Sequence, residues 1–307
     1  MVNLNSKYLF LIFLLVVIVI IPKKNYAQYD FYNFIRNSEI VSKKDFLENI
    51  DKIKESKIKI ITEWIYKVNN EVREEEGSKN IYLYNSSGSM IENTNYNKEG
   101  ISLGRIIYIY DDDNNLIEEK FFYNDIQETN SKYEYDDTGN LIGIVNFDKN
   151  GNIDGKEKYF YDTVENSIKV IFYRNGIVTG AHTFKYNDQQ NILEFLTYSP
   201  DGKLDRNHNP ELVLGVKIHF NYDSLYLKIM RTEIGHFPDG TFGKAYAHEF
   251  FKYDFNKNLV GDEVTFLNKT ISNIYSYDNK DLLMEKKMLN NSKELIKITN
   301  YVYEFFE

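Results

Sequence analysis

YEYDDTGNLIGIVNFDKNGNIDGKEKYFYD, from Tyr133 to Asp162, decides the fold of this chain. Tyr133 and Tyr135 stand two apart, so on an extended backbone both rings leave the same face. Asp136 to Asn140 is a turn segment in which Gly139 accepts a positive φ, and the apolar stretch Leu141 to Phe147 returns antiparallel to the first strand. A second turn, Asp148 to Asn152, reverses the chain into the next ring pair, Tyr159 and Tyr161. One unit is therefore two strands and two turns.

Working outward, the same aromatic-x-Tyr triplet recurs at Tyr82/Tyr84, Tyr108/Tyr110, Phe184/Tyr186, Phe220/Tyr222, Phe251/Tyr253, Tyr275/Tyr277 and Tyr301/Tyr303. Successive second tyrosines lie 26, 25, 26, 25, 36, 31, 24 and 26 residues apart. A period held over nine occurrences is the mark of a repeat architecture. Composition agrees: Tyr 26 and Phe 21 against Trp 1 favour a pleated sheet, where flat rings pack well. The residues between the paired aromatics, among them Leu83, Glu134, Phe160 and Val302, belong to the other face, which is mixed in character.

The fold expected from this pattern is all-β: an elongated, twisted antiparallel β-meander of about nine repeated hairpin units, preceded by a short N-terminal helix. Some eighteen strands at ~4.8 Å each would span roughly 80–90 Å if the sheet stays open. Ile58 to Val72 alternates as a leading strand, with a turn or loop at Glu74 to Ser78. Upstream, Ser42 to Asp45 followed by FLENIDKIK reads as an N-capped helix with Phe46, Ile50 and Ile53 on one face, placed to cover an open sheet edge.

The N-terminus has the layout of an export signal. Lys7 supplies positive charge, and Tyr8 to Ile21 is apolar without a break, which is short for a bilayer span of ~20 residues. The expected division is 1–27 signal peptide, 28–56 short helical segment and 57–307 hairpin array. Cleavage after Ala27 leaves no membrane span, whereas Lys23 and Lys24 fit a retained anchor. Without Lys7, Lys23 and Lys24 the chain holds 34 basic against 46 acidic residues, a charge of −12, which argues against non-specific nucleic-acid or anionic-membrane binding. Zero Cys excludes disulfides, thiolate ligands and a lipidated cysteine.

The string Tyr-x-Tyr-Asp-x-x-Gly-Asn-Leu, complete at Tyr133 to Leu141 and partial at Tyr108 to Leu116 and Tyr253 to Leu259, resembles the YD repeat of RHS-like proteins over roughly residues 57–307. The resemblance implies an antiparallel β array, which in large members of that family winds into a shell around a toxic or adhesive cargo domain. This chain is more similar to short, exported, stand-alone YD-repeat proteins, and the turns at Thr163 to Asn166 and Ser224 to Leu227 depart from the pattern.

No Gly-x-Ser-x-Gly elbow, phosphate-binding Gly loop or dinucleotide fingerprint is present in the sequence. Asp148 to Asp154 has oxygen-bearing residues at calcium-loop spacing, but Ile153 stands where Gly is required and Tyr159 where the bidentate Glu is, so a hairpin turn is the better reading. His182, His208, His219, His236 and His248 show no metal-ligand spacing and are expected on exposed strands or loops. Carboxylates are too numerous for any glycosidase-like pair to be picked out without geometry. The expectation is a non-enzymatic exported binding or structural module without cofactor or metal, secreted, periplasmic or at the cell surface.

Two units are lengthened, and inserted segments on a regular scaffold are where binding residues gather. The ligand-binding candidates are Asp205, Arg206, His208, His236, Phe237 and Phe242. The partners considered are a glycan, met by exposed aromatic rings, or another extracytoplasmic protein, including one added as a strand at a free C-terminal edge from Tyr301 to Phe306.

Overall fold

In a computed structural model of the protein, the described residues are 50–204, 210–225, 227–236, 242–266 and 269–307. A single helical turn, α1 at residues 50–55, precedes nineteen strands. They are β1 (Ile58–Asn69), β2 (Val72–Arg73), β3 (Ser78–Tyr84), β4 (Met90–Tyr96), β5 (Ser102–Tyr110), β6 (Leu116–Tyr123) and β7 (Ile126–Tyr135). Then follow β8 (Leu141–Phe147), β9 (Ile153–Asp162), β10 (Ser167–Arg174), β11 (Ile177–Tyr186), β12 (Ile192–Leu204) and β13 (Pro210–Tyr222). The last are β14 (Lys228–His236), β15 (Phe242–Tyr253), β16 (Leu259–Phe266), β17 (Lys269–Tyr277), β18 (Leu283–Leu289) and β19 (Leu295–Phe305).

The sheet is closed. β1 pairs with β3 on one side and β19 on the other, so β1 and β3 to β19 form an 18-stranded antiparallel barrel, with β2 a two-residue appendage of β1. The open, elongated meander expected from the sequence is thereby overturned. Its strand count was sound, and its ends are joined: the last triplet strand, β19, lacks a return strand of its own, and β1 supplies it. Ile58 of β1 is buried like Leu116 and Leu141, the residues that open the return strands of other units. Closure pairs two rows of backbone amides that an open sheet would leave bare. An even number of strands is what lets antiparallel neighbours close in register.

The tyrosines build the wall in a repeated way. The hydroxyls of Tyr110, Tyr135, Tyr161, Tyr222, Tyr253, Tyr277 and Tyr303 donate to the carbonyls of Met90, Leu116, Leu141, Ile192, Lys228, Leu259 and Leu283, at 2.6–2.9 Å. Each reaches the adjacent return strand of the preceding unit, at the residue that opens it. A register shift accompanies the second aromatic in most units, as at Tyr135 opposite Leu141. Asp136 Oδ1 accepts the amides of Thr138 and Asn140, while Gly139 sits at φ +80°, as the sequence reading required. The turn after Asp223 keeps this form despite its altered sequence. By contrast, the turn after Asp162 does not, and β9 and β10 pair without a shift.

The triplet rings point inward: Tyr108, Tyr159, Phe184 and Phe220 are buried in one core with Leu116, Leu141, Val170 and Ile192. Helix α1 lies at the rim that carries the Asp turns rather than along a sheet edge. Ile50 and Ile53 are buried there, Lys52 Nζ donates to the carbonyl of Asp281, and Gly88 passes so close that an added Cβ would stand 2.7 Å from the Ile50 carbonyl. Phe46 falls outside the described residues. The leading strand ends at Asn69, three residues before Val72, because Asn70 and Glu71 take positive φ and turn the chain.

Candidate functional site

Above the two inward layers of rings, the barrel interior carries polar groups that sequence reading missed. Glu119 is buried and accepts from the Tyr133 hydroxyl at 3.2 Å; Glu157 is buried and accepts from Tyr159 at 2.8 Å. Asp262 accepts from the Asn273 amide at 2.8 Å and from the Tyr275 hydroxyl. At the seam, Glu63 of β1 accepts from Asn80 at 2.6 Å and Tyr82 at 2.9 Å on one flank, and from Tyr301 at 3.2 Å on the other. One carboxylate thus ties β3 and β19 to the strand that closes the ring. A signal for Glu157 was in the sequence: it precedes Tyr159 by two and so shares the ring face.

Burial drives the electrostatics. Desolvation pushes the Glu157 carboxyl up to about 7, against the opposing hydrogen bonds from Tyr159 and Asn146. Desolvation also holds the Tyr133 and Tyr159 phenols well above the usual range, with added repulsion from Glu119 and Glu157. Glu119 of β6 and Glu157 of β9 both act on the phenol of Tyr133, which stands on β7 between them. Elsewhere on the sheet, Arg231 of β14 bridges Glu233 at 3.0 Å and Glu249 at 3.6 Å, an ion-paired cluster.

The histidines divide. His182, expected on the surface, is buried edge-on between Phe172 and Phe195, with ring centroids 4.6 and 5.0 Å away. His219 Nδ1 lies 3.3 Å from Glu194, yet desolvation and Lys217 hold its pKa below the ordinary value. His248 faces the Thr232 hydroxyl at 3.3 Å. The Asp148 carboxylate is engaged by the amides of Asn150 and Asn152, as a hairpin turn requires.

Asp205, Arg206, His208 and Phe237 lie outside the described residues. His236 and Phe242 are cross-strand partners at the end of β14 and the start of β15. The topology nevertheless brings the two lengthened units together. β12 to β15 are consecutive in the ring, and the β12–β13 and β14–β15 connections leave the same rim, opposite α1. β12 and β13 run 13 residues each against seven in β4 and β8. The six-residue difference, at ~3.3 Å per residue, is on the order of 20 Å of added strand.

Buried triplet rings such as Tyr108, Tyr159 and Phe184 have no face free to stack on a sugar, whereas Phe160, Phe250 and Phe266 are exposed. Strand addition at Tyr301 to Phe306 is closed, since β19 is paired with β18 and β1.

No family model matches the chain, and no curated protein matches it. Among solved structures, a porin-like protein from Bacteroides uniformis shares 11% identity over 81% of this chain and 97% of that one, with a TM-score of 0.41. A porin-like protein from Bacteroides vulgatus shares 8% over 79% and 98%, with a TM-score of 0.31. The TcdB2-TccC3 structure shares 14% over 70% of this chain and 15% of that one, with a TM-score of 0.30. These similarities are too low for any property of those proteins to be carried over.

Proposed function

We propose that this is an exported, water-soluble YD-repeat barrel that works as a non-enzymatic binding module, with its recognition surface on the rim formed by the β12–β13 and β14–β15 hairpins. The observation that carries the reading is the adjacency of the two lengthened units on a scaffold whose other hairpins are short and regular. A rigid ring holding two long neighbouring hairpins presents a surface without rearranging its core.

The outer wall of the barrel suits water. Lys120, Lys132, Lys158 and Lys185 leave the face opposite the buried rings, in the middle of their strands. A lipid-embedded wall would place such charges at a cost of about 2–4 kcal/mol each near the bilayer midplane. Lysines in mid-strand on the outer face run against what a bilayer asks of a barrel wall. The export layout of residues 1–27 then fits delivery to the periplasm, the cell surface or the medium.

The test is to shorten both hairpins to the two-residue Asn-Gly turn used at Asn175 and Gly176, and to screen intact and shortened proteins against glycans and extracytoplasmic proteins from one source. Saturable binding lost on shortening, with the melting curve unchanged, supports the rim. Binding that survives shortening moves the recognition surface elsewhere.

A further inference from the structure

We infer that the outer wall of β7 to β10 binds an acidic polysaccharide. This surface is distinct from the long-hairpin rim, although the inference rests on the same reading of the protein as an exported module. Lys132 of β7, Lys156 and Lys158 of β9 and Lys169 of β10 alternate with Tyr133, Glu157, Tyr159 and Val170, which are buried in the interior. All four lysines are exposed, and none is ion-paired with a carboxylate among the described residues.

The neighbouring charges are already engaged. Asp154 is held by Arg174 at 2.8 Å, and Glu118 by Lys120 at 3.2 Å and Asn130 at 2.9 Å. Two acids stand beside the patch: Glu134, whose Oε2 lies against Gly143, and Asp162, which is the cross-strand partner of Ser167 and accepts the amides of Val164 and Glu165 at its Oδ1. Four lysines over three strand spacings, roughly 14 Å, stand out on a chain of net charge −9.

Rings are interleaved with these ammonium groups. Lys132 Nζ sits 5.8 Å from the Phe147 ring centroid and Lys158 Nζ 5.7 Å from that of Tyr173. Tyr173 is the cross-strand partner of Lys156, and the exposed Phe160 is the partner of Lys169. Ammonium groups about one strand apart suit carboxylates spaced along a sugar chain, while Phe160 and Tyr173 offer faces to the C–H side of a pyranose. The acidic turns at Asp111 to Asp113, Asp136 and Asp137 lie at one end of this wall. They disfavour a nucleic acid, whose charge is denser and continues past the patch.

The experiment uses the full-length protein and four probes: polygalacturonate, its fully methyl-esterified form, inorganic polyphosphate and single-stranded DNA. The expected result is salt-sensitive binding of polygalacturonate, weaker binding of the other three, and a loss of at least about tenfold in K132Q/K156Q/K158Q/K169Q. A second loss is expected in F160S/Y173S, which keeps the charge. Circular dichroism and the behaviour of K252Q, an exposed lysine outside the patch, separate lost binding from lost folding. Shortening the two long hairpins leaves this binding unchanged if the wall is the site. The proposal is overturned if polygalacturonate does not bind, if the lysine variant binds as well as wild type, or if polyphosphate or DNA binds as tightly with the ring variant unaffected.

Discussion

In seven of the triplets the second tyrosine spends its hydroxyl on a backbone carbonyl of the preceding, adjacent strand, and that bond is testable one residue at a time. Tyr135→Phe loses the 2.8 Å contact to Leu116 and leaves a carbonyl short of a donor, so it is expected to cost about 1 kcal/mol. Tyr186 is the useful contrast. Its hydroxyl is buried without a partner among the described residues, because the irregular turn after Asp162 replaces the usual one in the unit before it. Tyr186→Phe should therefore be neutral or stabilising, and paired urea melts of the two variants check the difference. Glu157 provides a pH signature. Its folded pKa is raised to about 7 from 4.5, so the group's contribution is fully present below about pH 4.5 and is lost as pH rises through 7. Glu157→Gln should remove that slope and be more stable than wild type above pH 7, by an amount on the order of 3 kcal/mol. A parallel pair of stability profiles against pH would contradict this. None of these three side chains needed the structure to be placed on the ring face, since spacing by two already put them there. What spacing hid was the partner, which belongs to a strand some twenty residues away.

Among elements, the repeated turn explains why Gly139 and Gly88 are not equivalent. Both hold positive φ, so an alanine at either costs about 1 kcal/mol in backbone strain. Nothing stands within 4 Å of a Cβ at Gly139, whereas one at Gly88 would press on the carbonyl of Ile50 in α1. Gly88→Ala is expected to exceed Gly139→Ala by the packing of Ile50 and Ile53, seen as a larger loss of stability and faster amide exchange over residues 50–55. The helix itself was legible from the Ile50/Ile53 spacing, as were the leading strand and the period of the hairpins. The role of β1 was not. Its alternation reads like any strand, and the fact that it completes a unit begun more than two hundred residues later is a contact between chain ends that no local pattern records.

For the molecule as a whole, closure separates the ring from the open sheet expected of its sequence. Thr62 and Val302 are cross-strand partners at the seam, and the chain has no other cysteine to confuse a crosslink. Thr62→Cys with Val302→Cys should oxidise to an intramolecular disulfide in high yield and stabilise the fold, since the bridge closes a very long loop. An open array would hold the two positions many strands apart and give only intermolecular products. The candidate binding surfaces were legible to different degrees. The lengthened units announced themselves by a broken period, but the lysines of the outer wall are scattered in sequence, and only pairing across β7 to β10 gathers them.

The borrowed strand at the seam also bears on how such a chain can change over generations. An open row of hairpins tolerates a duplication or a loss at its end, because the last unit simply meets solvent in a new place. In this ring one extra unit widens the girth by two strands, every carbonyl-clamping tyrosine keeps its local partner, and yet the shared interior no longer fits. Copy number is therefore expected to be held near nine among close descendants, while length drifts freely in the hairpins that leave the rim.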